Sequence, residues 1–133
     1  MQNLIKETLD KWHQVVKNGD LALLDEILDE NVVFHSPIVW TPQKGKALSK
    51  MYLSGAKYVL GTDKFHYTRE VVEGTMAVLE FSTQIEEIVV EGIDFIEFNE
   101  SGKIINFKVM VRPLKAMHIL QEKMAEMLEK FKG

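Results

Sequence analysis

The chain has 133 residues, 46% of them hydrophobic and 27% charged, with a formal net charge of −4 and no cysteine. That length suits one domain with a sizeable core, and the lack of cysteine excludes disulfides and thiol chemistry and fits a reducing compartment. An acidic balance without a Lys/Arg-rich stripe argues against nucleic acid as a partner.

The N-terminal stretch MQNLIKETLDK mixes acids into its first turns, unlike a signal peptide, and no run approaches the apolar length of a membrane span. The expected location is cytoplasmic. From Leu4 to Val16, Leu4, Ile5, Leu9, Trp12, Val15 and Val16 recur at helical spacing. Asn18-Gly19 ends this first helix, and Asp20 caps a second that buries Leu23, Leu24, Ile27 and Leu28. "NVVFHSP" then reads as a short strand stopped by Pro37. Helical spacing returns from Lys44 to Leu60 through Leu48, Met51, Tyr52 and Val59, and Gly61 closes it.

From Lys64 onward the period is two. Strands are predicted over residues 65–72, 76–85, 88–98 and 104–112, with turns at "EGT" (73–75) and "NESG" (99–102). Pro113 stops the last strand and suits the first turn of a final helix. In that helix Met117, Leu120, Met124, Met127 and Phe131 fall three or four apart, a seam that must be covered. Helices before an antiparallel meander make an α+β domain over residues 1–133. The curved sheet is expected to wrap the N-terminal helices and leave a conical pocket, with 114–132 as an appended C-terminal helix.

One residue breaks the pattern. Val90, Gly92, Asp94, Ile96 and Phe98 share one face of their strand, and Asp94 is the lone polar side chain on it. Two placements are open. Either Asp94 points inward, where desolvation raises its pKa and makes it a hydrogen-bond donor, or Gly92 marks a bulge that turns it out to solvent.

The order of elements, with "KNGDLALLDEILDENVVFHSP" and "GIDFIEFNESGKI", resembles the nuclear transport factor 2-like superfamily, the fold of ketosteroid isomerase and SnoaL-like polyketide cyclases. The resemblance runs from about Thr8 to Arg112. It implies that Asp94 matches the isomerase's oxyanion-binding aspartic acid. Trp12 then stands where the family has its oxyanion tyrosine, and Ser36 where it has its general-base aspartate. An indole offers only an N–H, and a serine is no base without a partner. Steroid isomerisation is therefore not the expected reaction.

Around Asp94, the resemblance sends Ser36 inward and its neighbour His35 outward. Strand ends twist, so His35 stands as a candidate base as well as a partner for a backbone carbonyl. Trp12 serves as core or directs its N–H at the cavity. Phe65, Tyr67, Ile105, Phe107, Val109 and Val111 are expected cavity walls, and Trp40 is either a lid or a half-exposed aromatic. His13, His66 and His118 read as surface residues. No metal is expected, because the histidines lack ligand spacing, and no cofactor, because no Gly-rich phosphate loop is present.

These residues support three readings: a protein binding a small, mostly apolar molecule near Asp94; an isomerase, cyclase or hydratase using Asp94 and His35; or a partner-binding module with a filled cone. Val89, Ile93, Phe95, Met76 and Met110 fall on the opposite sheet face as an apolar patch, so a homodimer is expected.

Overall fold

The computed structural model describes residues 2–132, with side chains up to Lys130. The elements in chain order are α1 (Gln2–Asn18), α2 (Leu21–Ile27), β1 (Leu28–His35), β2 (Gln43–Lys44), α3 (Lys46–Leu60), β3 (His66–Glu73), β4 (Met76–Ile85), β5 (Ile88–Phe98), β6 (Ile104–Arg112) and α4 (Leu114–Lys132). They form one six-stranded sheet in the order β2-β1-β6-β5-β4-β3. Only the β1–β6 pairing is parallel.

Local chemistry sets the helix ends. Gly19 at φ +71 returns its N–H to the Val15 carbonyl at 2.8 Å, closing α1. The Asp20 carboxylate accepts from the Leu23 N–H at 3.0 Å and starts α2. Two boundaries differ from the sequence pattern. Leu28, expected at the end of α2, is the first residue of β1 and pairs with Ile104. An apolar residue satisfies either period, and the parallel ladder to β6 decides between them. Lys44, expected to open α3, instead pairs with Val33, beside Gln43 with Phe34, in a short edge strand, so α3 begins after Gly45.

Alternation buries one sheet face. Ala77, Leu79 and Phe81 of β4, Val90, Ile96 and Phe98 of β5, and Phe107 and Val109 of β6 all turn to the concave side and share one core with residues of α1, α3 and α4. Ile105 does not join them. A register shift between Glu97 and Phe98 lets Ile104 pair with Phe98 and leaves Ile105 as the extra residue, half-buried beside the ladder.

Gly92 is no bulge. It pairs with Phe81 on one side and Val111 on the other, in ladders that continue through Asp94. Its role is close approach, since a Cβ here would lie 2.5 Å from the Met110 carbonyl oxygen and 2.6 Å from Cζ of Phe81.

The final helix packs on its own chain, against α3, β5 and β6. The buried stripe is Ala116, Ile119, Leu120 and Met127, while Met117 and Met124 are only half-buried. The Phe131 side chain lies outside the described residues. Met127 Cγ and Met124 Cε stand 3.4 and 3.6 Å from where a Gly55 Cβ would sit, so that glycine admits the helix.

Gly92→Ala is expected to force a backbone shift or a ring displacement and to lower stability by about 2 kcal/mol, the usual range for an overpacked core. Urea denaturation of the two proteins checks this; an unchanged midpoint would mean that Phe81 yields without strain.

Candidate functional site

The uninterrupted β5 ladder fixes Asp94 on the concave face, where it is 6% exposed. Its Oδ2 accepts the Tyr67 hydroxyl at 2.7 Å, and the Tyr67 oxygen accepts the Trp12 indole N–H at 2.9 Å. Trp12 and Asp94 thus belong to one chain of hydrogen bonds, with Tyr67 between them. An indole nitrogen can only donate, so the chain has one polarity. Tyr67 donates its own proton to Asp94 Oδ2, and in that arrangement a neutral Asp94 carries its proton on Oδ1.

The environment favours that neutral form. Burial raises the Asp94 pKa from 3.8 to about 7, against the opposing pull of the Tyr67 hydrogen bond. Tyr67 is pushed well above the ordinary tyrosine value by burial first and by the adjacent carboxylate second. Asp94 therefore acts near neutral pH as an acid or hydrogen-bond donor rather than as a plain anion.

Aromatic rings hold this group. Phe65 stacks on Phe81 at 5.3 Å, Tyr67 stands edge-on to Phe65 at 5.1 Å, and Trp12 is edge-on to Phe107 at 4.9 Å. The cavity they leave is lined by Trp12, Val16, Leu53, Ala56, Lys57, Leu60, Gly61, Phe65, Tyr67, Phe81, Asp94, Phe107 and Val109. The centre of a water-sized sphere can move through about 40 Å³ inside it. Counted with its open mouth, the whole void is about 410 Å³.

The structure gathers Asp94, Trp12, Phe65, Tyr67, Phe107 and Val109 at this cavity and leaves the other candidates outside it. His35 pairs opposite Lys108 on the convex face, with Nε2 at 3.3 Å from Nδ2 of Asn106. Burial and the Lys108 ammonium lower its pKa. As a base sharing the Asp94 cavity, His35 is therefore corrected by its place on the pleat. Ser36 is also elsewhere. Its Oγ accepts from the N–H groups of Ile38 and Val39 at 3.0 and 3.3 Å, so a local turn uses it. It borders a smaller void, of about 10 Å³, that shares Ala56, Leu60 and Val109 with the Asp94 cavity.

Trp40 is 97% exposed and is no lid on the Asp94 cavity. With His35, Lys108, Met110, Val111 and Met117 it edges a separate open groove of about 530 Å³. His13, expected on the surface, is partly exposed but accepts or donates to Glu70 at 2.7 Å and packs edge-on against Tyr67 at 5.2 Å. Lys57, Leu53 and Phe81 escape the sequence reading. Phe81 alone carried a signal, since it shares the inward parity of β4. Among the described residues, no group of three or more His, Asp or Glu is placed to hold a metal, and no helix is long and apolar enough to cross a membrane.

Residues 9–107 match the SnoaL-like domain. The chain belongs to this family. A steroid delta-isomerase from Pseudomonas aeruginosa shares 35% identity over 96% of this chain and 93% of its own, with a TM-score of 0.91. A bacterial protein of cystatin-like fold from Silicibacter pomeroyi shares 31% identity over 90% of this chain and 83% of its own, with a TM-score of 0.83. A nuclear transport factor 2-like protein from Burkholderia xenovorans, at 18% identity over 88% and 93% of the two chains and a TM-score of 0.68, shares the fold. No functionally curated protein matches the chain. This SnoaL-like domain has the α+β cone that the element order implied.

The buried acid has a pH signature. The native protein holds the Asp94 proton over a range in which the unfolded chain has released it. Stability from this group is therefore fully present below pH 3.8, falls as pH rises, and levels off above about 7. At about 1.4 kcal/mol per pH unit the loss amounts to roughly 4 kcal/mol. Asp94→Asn, which can still accept from Tyr67, is expected to flatten that slope and to be the more stable protein at pH 8. Urea unfolding of both proteins from pH 4 to 8 checks it. A wild-type carboxyl midpoint near 3.9 by NMR would remove the neutral acid.

Proposed function

We propose that this protein binds a small, mostly apolar molecule in the concave cavity, with Asp94 donating a hydrogen bond from Oδ1 to a carbonyl or hydroxyl oxygen. The observation that carries this reading is the oriented chain from Trp12 through Tyr67 to Asp94, set in an otherwise apolar cavity. A carboxyl used only to fill a core gains nothing from such an environment, because burial disfavours its ionised form. A few converging polar groups in an apolar concavity are the usual make-up of a ligand site.

The competing reading is an isomerase, cyclase or hydratase, and the Pseudomonas aeruginosa relative is named as a steroid delta-isomerase. Such chemistry moves a proton and needs a base within reach of it. Among the described residues the cavity wall carries Asp94, Tyr67 and Lys57 as its only ionisable side chains, and His35 faces the other side of the sheet. Binding is therefore the reading this wall supports better.

Titration with a small cyclic enone, followed by amide chemical shifts, tests it. Shifts are expected around Phe65, Phe81 and Asp94, and Asp94→Ala should weaken binding about tenfold, the worth of one hydrogen bond to a neutral acceptor. Shifts confined to the convex face would sink the proposal. Conversion of an unconjugated to a conjugated enone, seen by ultraviolet absorbance, would favour the enzyme instead.

We also propose that two copies pair through the convex face. Val89 is 59% exposed, Met110 53%, Met76 43% and Phe95 36%, and Val71 beside them is 62% exposed. Exposed apolar side chains on one sheet face, interspersed with charged ones, favour an interface. Light scattering is expected to give a dimer, which Met110→Glu with Val89→Glu should split. A wild-type monomer at high micromolar concentration would overturn it.

A further inference from the structure

Two internal voids share a wall. The Asp94 cavity and the smaller void beyond it are both bordered by Ala56 and Leu60, one turn apart on α3, and by Val109 of β6. The two spaces are therefore no more than a side chain apart. On its far side the second void is closed by Phe34, Pro37 and Ile38, and by Leu120 and Met124, one turn apart on α4. None of the three shared residues carries a polar side-chain atom, so parting them breaks no side-chain hydrogen bond.

The second void suits hydrocarbon. Ser36 is the one polar residue on its wall, and its Oγ already accepts the N–H groups of Ile38 and Val39. A water held there would need several polar partners, and an apolar space without them stays dry. Its lining lacks neighbours on one side, so apolar atoms that enter gain contacts the folded chain leaves unmade. One wall can also yield. Met124 is half-buried, and its Cε stands 3.6 Å from where a Gly55 Cβ would sit, against a glycine rather than a side chain. An unbranched thioether in that place can turn outward, while the buried Met127 keeps α4 seated on the same glycine.

We infer that the two voids form one ligand site, and that it takes an elongated apolar molecule whose oxygen-bearing end meets Asp94 and whose hydrocarbon tail passes Leu60 and Val109 to lie against Met124 under α4. This rests on the reading of the Asp94 cavity as a ligand site and adds the shape and class of the ligand. Size supports it. The interior beside Asp94 is small, so a molecule longer than one ring must send its far end either out through the mouth or onward under α4. A tail left in the open mouth keeps much of its surface in water, whereas the inner path removes it from water. Ala56 narrows that path least of the three shared residues. Residue 124 then sets the length of tail that the site accepts.

Three probes titrated into the full-length chain decide it: p-cresol, 4-propylphenol and 4-pentylphenol. Amide shifts report on the surroundings of Asp94, and the methyl signal of Met124, in protein labelled at methionine, reports on the second void. All three phenols are expected to shift residues around Asp94. Affinity should rise about fourfold for each methylene buried, and the Met124 methyl should move with the two longer phenols but not with p-cresol. Ile38→Phe, which fills the second void from the loop after β1, should erase the differences among the phenols. Met124→Ala, which widens it, should tighten 4-pentylphenol further. Equal affinity for the three phenols, a tail gain that leaves the Met124 methyl still, or a gain that survives Ile38→Phe overturns this inference while leaving the cavity reading in place. Failure of every phenol to shift residues around Asp94 overturns both. Leu120→Phe is the second filling variant, should Ile38→Phe disturb folding.

Discussion

A carboxyl group enclosed by aromatic rings must be neutral or paired, and here it is held by a hydroxyl that is itself held by an indole. That constraint organises the interior. Trp12 comes from α1, Tyr67 from β3 and Asp94 from β5, so the chain of donors joins a helix to two strands that are not neighbours in the sheet. Each link restricts the next. The indole donates to the phenol and the phenol to Oδ2 of the carboxyl, which leaves the carboxyl one oxygen free to face the cavity. The surrounding rings supply the low polarity that makes this arrangement matter, because the same contacts in water would leave Asp94 ionised.

Much of this was legible from the sequence, for reasons that differ by element. The four meander strands follow from a period of two, and Asp94 stands out because a single polar residue interrupts an apolar parity. Gly92 left two placements open. The ladder shows that its missing side chain makes room for the Phe81 ring, a requirement set by a neighbouring strand that local pattern cannot express. Ile105 was displaced from the cavity by one extra residue in β6, which puts Ile104 rather than Ile105 on the buried side with Phe107 and Val109. Leu28 was taken by the parallel ladder to β6, a partner 76 residues away that leaves no mark on helical spacing.

The site was harder to read than the fold. Tyr67 appeared only as a wall, since nothing local shows that its hydroxyl sits between two residues 27 and 55 positions away. Lys57 gave no signal because a lysine near a helix end is ordinary. Family resemblance pointed to Trp12, Ser36 and Asp94, but only two of these share the cavity. A family position marks a place on the chain, whereas the direction of a side chain depends on the pleat and on local turns, and the Ser36 hydroxyl is engaged by the turn that follows it.

The hairpin turn between β5 and β6 carries a consequence for how the molecule assembles. The Thr8 hydroxyl donates to the Gly102 carbonyl, and a Cβ on Gly102 would meet the Leu4 Cβ at 2.6 Å, so α1 is seated directly on that turn. Trp12 follows Thr8 by one helical turn. α1 is synthesised before the hairpin it rests on and so reaches its final position only after nearly the whole sheet exists, and β1 likewise waits for β6. Contacts of such sequence separation are slow to form. During synthesis α1 and α2 have no sheet to cover them, and the acid-bearing cavity is complete only once α1 has met β6.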